Sequence, residues 1–192
     1  MQDVKAETWE DGRLPDAGAR PRRRLRDVPR WLDRLLWLGL GISVAHLCFF
    51  QGYHVYGACM EPNLCSGERI LGSRLALMQG IRRGDVVVFQ VPEGSGAAFV
   101  KRVIGLPGDL LEIRGSRVFI NRLPLPEPYV HRTWHDDRLP QHVPAGSFFV
   151  LGDNRDDSND SRSWGFLPAE NVMAKAWVRY WPPHRLRVLG PE

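Results

Sequence analysis

The sequence predicts a mainly β, antiparallel domain behind one N-terminal apolar helix. Three features point that way. One run, Leu35 to Phe50, is apolar apart from Ser43 and His46 and lies near the N-terminus. Beyond it the apolar residues come in short runs interrupted by Gly and Pro. No stretch past residue 53 keeps a helical period over a useful length. At 192 residues, 43% hydrophobic and 25% charged, the chain can bury one core and is too short for two full-sized domains. An ordinary apolar fraction without a short repeat excludes collagen, coiled-coil and wholly disordered classes. Three cysteines are too few and too odd in number for a disulfide scaffold.

Residues 1–30 hold Pro, Gly, Arg and acids with no apolar period and read as a disordered, basic cytoplasmic tail. Five acids before Arg20 argue against a mitochondrial transit peptide. Residues 31–53 read as a transmembrane helix; from Leu35 to Gly52 a helix would extend about 27 Å, enough for a bilayer core. Trp31, Trp37 and Tyr53 are placed as interfacial aromatics. Seven arginines, Arg20, Arg22, Arg23, Arg24, Arg26, Arg30 and Arg34, precede or open the run and none follows within ten residues. The positive-inside rule then puts the N-terminus in the cytoplasm and residues 54–192 outside it. A buried soluble helix is the bland alternative. Tyr56-Gly57-Ala58-Cys59 also loosely matches a lipoprotein processing box, with a bulky Tyr where a branched aliphatic residue is preferred.

Strands are expected at 70–71, 85–90, 99–104, 110–113, 118–120, 148–151 and 175–180. Turn signals at Arg83-Gly84, Glu93-Gly94, Pro107-Gly108 and Arg114-Gly115 separate them. Residues 124–146, polar and rich in Pro and His, read as an exposed excursion. Trp177 and Trp181 read as packing residues, and Cys48 as lipid-facing or packed within the span.

Three segments carry chemistry together: Gly57-Ala-Cys-Met-Glu-Pro-Asn-Leu64; Arg83-Gly-Asp-Val-Val-Val-Phe89 with Val100-Lys-Arg-Val-Ile-Gly-Leu-Pro-Gly-Asp109; and Gly152-Asp-Asn-Arg-Asp-Asp-Ser-Asn-Asp-Ser-Arg-Ser-Trp-Gly-Phe-Leu-Pro168. Their order and wording resemble the type I signal peptidases, membrane-anchored serine-lysine proteases that remove signal peptides from exported proteins. The resemblance covers residues 35–182, and its third block looks bacterial or plastid-like. It implies an antiparallel β-sheet catalytic domain, with Lys101 as general base and Cys59 where the family carries its nucleophilic serine. By the same resemblance Ser158 helps orient the lysine, Asp160 and Arg162 form a supporting pair, and the Cys59 N–H is one oxyanion donor. Gly57 stands where the family often has a second donor, a serine hydroxyl, and Asp157 where asparagine is usual. Val55, Leu64 and Val100 fall where substrate pocket walls are expected.

The residues by themselves agree on mechanism. Peptide cleavage needs an activated nucleophile, a base that later protonates the leaving amine, and donors aimed at the developing oxyanion. A lysine is a base only where burial favours its neutral form, and Lys101 lies inside the apolar run Phe99–Ile104. Free thiols ionise near pH 8.5 and lysines near 10.4, so a Cys-Lys pair could rest as an ion pair or as two neutral groups; both stay open. Two other readings of Cys59 stay open as well: a disulfide with Cys65 that blocks catalysis reversibly, and a pseudoenzyme that binds signal peptides without cutting them.

No cofactor and no metal is expected. His131, His135, Asp136 and Asp137 fall in an irregular Pro-rich stretch, and Asp153 to Asp160 lack the Gly and terminal Glu of a calcium loop. The arginine cluster reads as a topology and anionic-lipid signal rather than a nucleic-acid site. The expected partners are exported preproteins with Ala-x-Ala-type cleavage sites and membrane lipid. The expected location is the bacterial inner (cytoplasmic) membrane, single-pass, with the catalytic domain extracytoplasmic. A specialised maturation enzyme for pilins or conjugation proteins is the alternative within peptidases.

Overall fold

The Val86-Val-Val-Phe89 run has no polar alternation, and the reason is its position between two cores. In the computed structural model, which describes residues 29–90, 97–131 and 134–191 (for 45–48 the backbone only), Val86 and Val88 point into one buried cluster and Val87 and Phe89 into another. A strand covered on both faces reads as a continuous apolar run.

In chain order the elements are α1 (Arg30–Phe49), β1 (Phe50–His54), β2 (Arg69–Ser73), α2 (Arg74–Met78), β3 (Val86–Gln90), β4 (Ala98–Gly105), β5 (Leu110–Arg114), β6 (Arg117–Ile120), β7 (Leu123–Pro124), β8 (Arg138–His142), β9 (Ser147–Leu151), α3 (Ser161–Trp164), β10 (Leu167–Pro168), β11 (Val172–Trp181) and β12 (Arg187–Val188). The larger sheet runs β1-β2-β11-β3-β4-β9-β10, with β12 on β11; the smaller runs β7-β6-β5-β8. Every pairing among the described strands is antiparallel. The smaller sheet packs Leu111, Ile113, Val118 and Ile120 against Ile104, Phe149 and Leu151 of the larger one. A side chain at Gly105 would come within 2.9 Å of both Phe149 and Val143, so the two sheets can meet there only across a glycine. The β5–β6 hairpin turns through Gly115 and Ser116, both at positive φ, the type I′ geometry that matches strand twist.

All seven expected strands form. The Glu93-Gly94 turn and the tail to residue 28 lie outside the described residues. Three expectations are corrected. The helix ends at Phe49 rather than at residue 53, because residues 50–54 pair with β2 and the Tyr53 ring lies over Gly72, where a Cβ would meet it at 2.6 Å. Residues 124–146 are not simply exposed: Tyr129 and Trp134 are buried in the core between the sheets, and β8 pairs with β5. Trp177 and Trp181 are 44% and 49% exposed, because bulges at 176–178 and 179–181 turn Arg179 inward and the large rings outward.

The chain divides into one compact unit up to Gly41 and a second from Ile42 onward. Along residues 30–44 the apolar side chains of α1, Leu36, Trp37 and Ile42 among them, are exposed. Among the described residues no helix is long and apolar enough to cross a membrane. The side chain of Cys48 lies outside what the structure describes.

Candidate active site

Residues 55–68 link β1 to β2 through tight turns. Val55 N–H donates to Glu68 O and Gly67 N–H to Val55 O, both at 2.9 Å, closing the base of the loop. Inside it, Glu61 N–H donates to Ala58 O at 3.0 Å and Leu64 N–H to Met60 O at 2.8 Å. Met60 and Leu64 are driven into the core with Val55, Ile70 and Val88, which leaves Cys59 half-buried on the rim. Its Sγ lies 3.9 Å from Val100 O, and its backbone N–H has no acceptor among the described residues.

β4 brings the second group. On one side it pairs with β3 from Ala98 to Arg102, and on the other it meets β9 only from Arg102 onward, in the register Arg102↔Leu151. Lys101 stands one residue before that ladder begins and follows Val100, whose carbonyl faces Cys59 Sγ. Lys101 is 3% exposed and makes no ion pair with a described carboxylate. The Ala98–Lys101 edge facing away from β3 has no strand partner among the described residues.

Gly152 is the point of convergence. A Cβ there would lie 2.5 Å from Cys59 O and would collide with Ser158 Oγ. Asn154 staples this segment to the cysteine loop: its N–H donates to Cys59 O at 3.0 Å and its Nδ2 to Ala58 O at 3.1 Å. Ser158 Oγ is buried and among the described residues lies within ordinary hydrogen-bond distance of no partner, with the Asp160 carboxylate the nearby group whose ionised form it favours.

Asp160 holds the segment in shape. Its carboxylate accepts from Arg162 Nε at 2.8 Å, from Arg162 Nη2 at 2.9 Å and from Gly152 N–H at 3.0 Å, and it caps α3. Burial alone would push this carboxyl up, but the Arg162 guanidinium and the Gly152 N–H outweigh it and hold the group below its ordinary range. Arg162 also donates to Arg155 O, so the expected acid-arginine pair is formed and tied to the backbone next to Ser158.

The expected pocket residues divide. Val55 and Leu64 are fully covered beneath Cys59, whereas Val100 is only partly buried beside it. Cys59 and Cys65 are free thiols facing different partners: Cys65 Sγ lies 3.7 Å from Pro62 O and accepts from Arg185 Nη1 at 3.1 Å. His135 stands 3.4 Å from Ser116 Oγ, and Asp137 accepts from Gly115 N–H, so these side chains serve the β5–β6 turn.

Sequence reasoning passed over four residues that shape the site: Gly152, Asn154, Asp153 and Arg102. Arg102 and Asp153 form a buried two-pronged pair, at 2.8 Å and 2.7 Å, that joins the lysine strand to the Gly152 segment. The adjacency of Arg102 to Lys101, and of Asp153 to Gly152, was the available signal.

The signal peptidase, peptidase S26 family matches residues 29–181, which takes in Cys59, Lys101, Gly152, Ser158, Asp160 and Arg162. The chain belongs to this family. A signal peptidase I of Leptolyngbya laminosa is 39% identical over 168 residues, covering 83% of this chain and 80% of the relative. A signal peptidase I of Bacillus caldolyticus is 36% identical over 156 residues, covering 73% and 85%. The solved structure of a signal peptidase I from Enterococcus faecalis V583 aligns at 32% identity and a TM-score of 0.44, over 50% of this chain and 95% of that one. As a member of the signal peptidase family, this chain is a peptidase, a hydrolase of peptide bonds.

Proposed function

We propose that this peptidase removes N-terminal signal peptides from exported preproteins, with Cys59 as nucleophile and Lys101 as base. The observation that carries the reading is Cys59 Sγ at 3.9 Å from the carbonyl of Val100, the residue before buried Lys101, with Cys59 and Ser158 both pressed on Gly152. The preprotein lies extended along the unpartnered Ala98–Lys101 edge, adding a strand to β4. Cys59 Sγ attacks the scissile carbonyl carbon while its proton passes to the Lys101 amine. The Cys59 N–H donates to the developing oxyanion. The C–N bond breaks, the lysine ammonium gives its proton to the departing amine, and a thioester remains. Water then attacks the thioester, Lys101 takes the water's proton, and the thiol leaves protonated. Ser158 Oγ, which makes no hydrogen bond to Lys101 in this structure, orients the lysine amine when the preprotein is bound. Val55 and Leu64 make the floor and Val100 the wall of a shallow pocket that admits small side chains, consistent with Ala-x-Ala cleavage sites.

The domain boundaries belong to the same proposal: a basic tail over 1–30, a membrane anchor beginning at residue 31, and an extracytoplasmic peptidase domain from residue 54 at the inner membrane. The apolar run, the arginines before it and the exposed side chains of α1 support the anchor. Exposed Trp177, Tyr180 and Trp181, with Phe50 against Trp177, add a surface suited to lipid contact.

The test is cleavage of an Ala-x-Ala preprotein by the detergent-solubilised full chain under reductant. Cleavage that disappears in Cys59→Ala and in Lys101→Ala supports the reading. Undiminished cleavage in both variants overturns it. Binding of the preprotein without cleavage in the unmodified protein would put the non-catalytic binder in its place.

A further inference from the structure

Glu127, Tyr129 and Trp134 tie together the three segments that meet at Cys59. The main-chain carbonyl of Tyr129 accepts from Asn63 Nδ2 at 2.8 Å, and Asn63 lies four residues past Cys59. The same Nδ2 donates to Asp153 Oδ2 at 2.9 Å, and Asp153 follows Gly152. Asp153 takes both prongs of Arg102, the neighbour of Lys101, and the Arg102 guanidinium stacks on the Tyr129 ring with its Cζ 4.1 Å from the ring centroid. Tyr129, Asn63, Asp153 and Arg102 thus close a ring whose joints sit on the nucleophile loop, the Gly152 segment and the lysine strand. Tyr129 is 2% exposed, and burial, reinforced by the Glu127 carboxylate, pushes its hydroxyl well above the usual range, so it stays neutral.

We propose that Tyr129 is a positioning residue for the Cys59–Lys101 pair: its ring fixes Arg102, and through Arg102 the placement of Lys101 relative to the cysteine loop. The inference rests on the assignment of those two residues above. A flat aromatic face suits a guanidinium whose edges are already engaged, since Arg102 also donates to Gly84 O at 2.9 Å. Arg102 and Lys101 are successive strand residues, so any backbone shift that follows loss of the stack is shared by the amine. A displacement of about 1 Å at such a pair costs on the order of 100-fold in rate. The strap has a second hold on the site: Glu127 pairs with Arg155, and Trp134 lies under both Arg155 and Arg162, at 4.9 Å and 5.5 Å.

The test is preprotein cleavage by the full chain carrying Tyr129→Met, Tyr129→Phe, Asn63→Leu or Val118→Ala, with Cys59→Ala alongside. Tyr129→Met, which keeps volume and removes the π face, should lower kcat about tenfold or more and leave KM within about twofold. Tyr129→Phe should restore wild-type kcat. Asn63→Leu opens the ring at another joint and should show the same loss, so it carries the test where Tyr129→Met does not fold. Val118→Ala damages the same core from β6, outside the ring of Tyr129, Asn63, Asp153 and Arg102; it should lower the melting temperature and spare kcat. Wild-type kcat in Tyr129→Met, or an equal loss in Val118→Ala, overturns the positioning role. Cleavage that survives Cys59→Ala overturns the underlying assignment instead, whatever the Tyr129 variants do.

Discussion

Cys59 and Cys65 lie six residues apart in one loop and are both partly buried, yet their surroundings differ in kind. Cys59 Sγ faces a backbone carbonyl and an apolar cluster, and its own backbone N–H has no acceptor among the described residues. Cys65 sits at the end of a structural ion-pair group: its sulfur accepts from Arg185, its N–H donates to Glu68, and Glu68 binds Arg179 and Arg185 at 3.2 Å and 2.7 Å. Arg179 and Arg185 in turn donate to the carbonyls of Asn63 and Pro62. One thiol is left open toward a lysine strand, and the other is enclosed by partners that brace the loop from behind. Residue type therefore says little about which cysteine does chemistry; the geometry of the neighbours does.

The largest expected effect comes from the open thiol. Cys59→Ala should reduce preprotein cleavage by about a thousandfold or more, because removing a nucleophile leaves only binding and oxyanion contributions. Cys65→Ala under the same assay should keep activity within about twofold, and a comparable loss there would erase the contrast between the two thiols. Alkylation alone does not separate them, since both sulfurs are partly accessible. In a Cys65→Ala background, iodoacetamide should still abolish cleavage.

Gly152→Ala comes next. The added Cβ meets the Cys59 carbonyl, a backbone atom with no rotamer to yield, so we expect about a 100-fold loss of kcat with the far-ultraviolet circular dichroism unchanged. Near-normal turnover would mean that the convergence on Gly152 is not required for cleavage.

Arg162→Ala affects stability more than chemistry. It leaves the Asp160 carboxylate buried without its charge partner, a change that costs about 3 kcal/mol. Denaturant titration measures it. The smallest effect concerns pH. Asp160 is held below its ordinary range in the folded protein, so the unfolded chain binds its proton first as pH falls. Its contribution is therefore complete above about pH 4 and lost as pH drops through the lower, folded value. Asp160→Asn should flatten the melting temperature in that window; an unaltered acid slope would assign the pH dependence to other carboxylates.

Much of the larger sheet was legible in the sequence, because strands covered on both faces, such as Val86–Phe89, leave an uninterrupted apolar run. Cys59, Lys101, Ser158, Asp160 and Arg162 came from the resemblance of three motif segments to the signal peptidases, whose wording is local to the chain. The excursion at 124–146 misled, since two aromatic residues among many Pro and His do not make a period. Tyr129 and Trp134 are buried by arginine partners from distant segments, which local sequence does not display. The outward Trp177 and Trp181 misled for the opposite reason, because a bulge resets the inward phase of β11 without leaving a mark in composition.

By itself, then, the sequence determined seven of the twelve described strands, the apolar run ahead of the domain and the residue types able to perform acyl transfer, all of which depend on neighbours within a few positions. Only the tertiary structure decided that Cys59 Sγ faces the carbonyl of Val100 beside Lys101, that Ser158 and Cys59 press on the same glycine, and that Tyr129 closes the ring behind them. Those relations join residues dozens of positions apart, and they are fixed by strand register and burial, quantities that exist only once the sheets have formed.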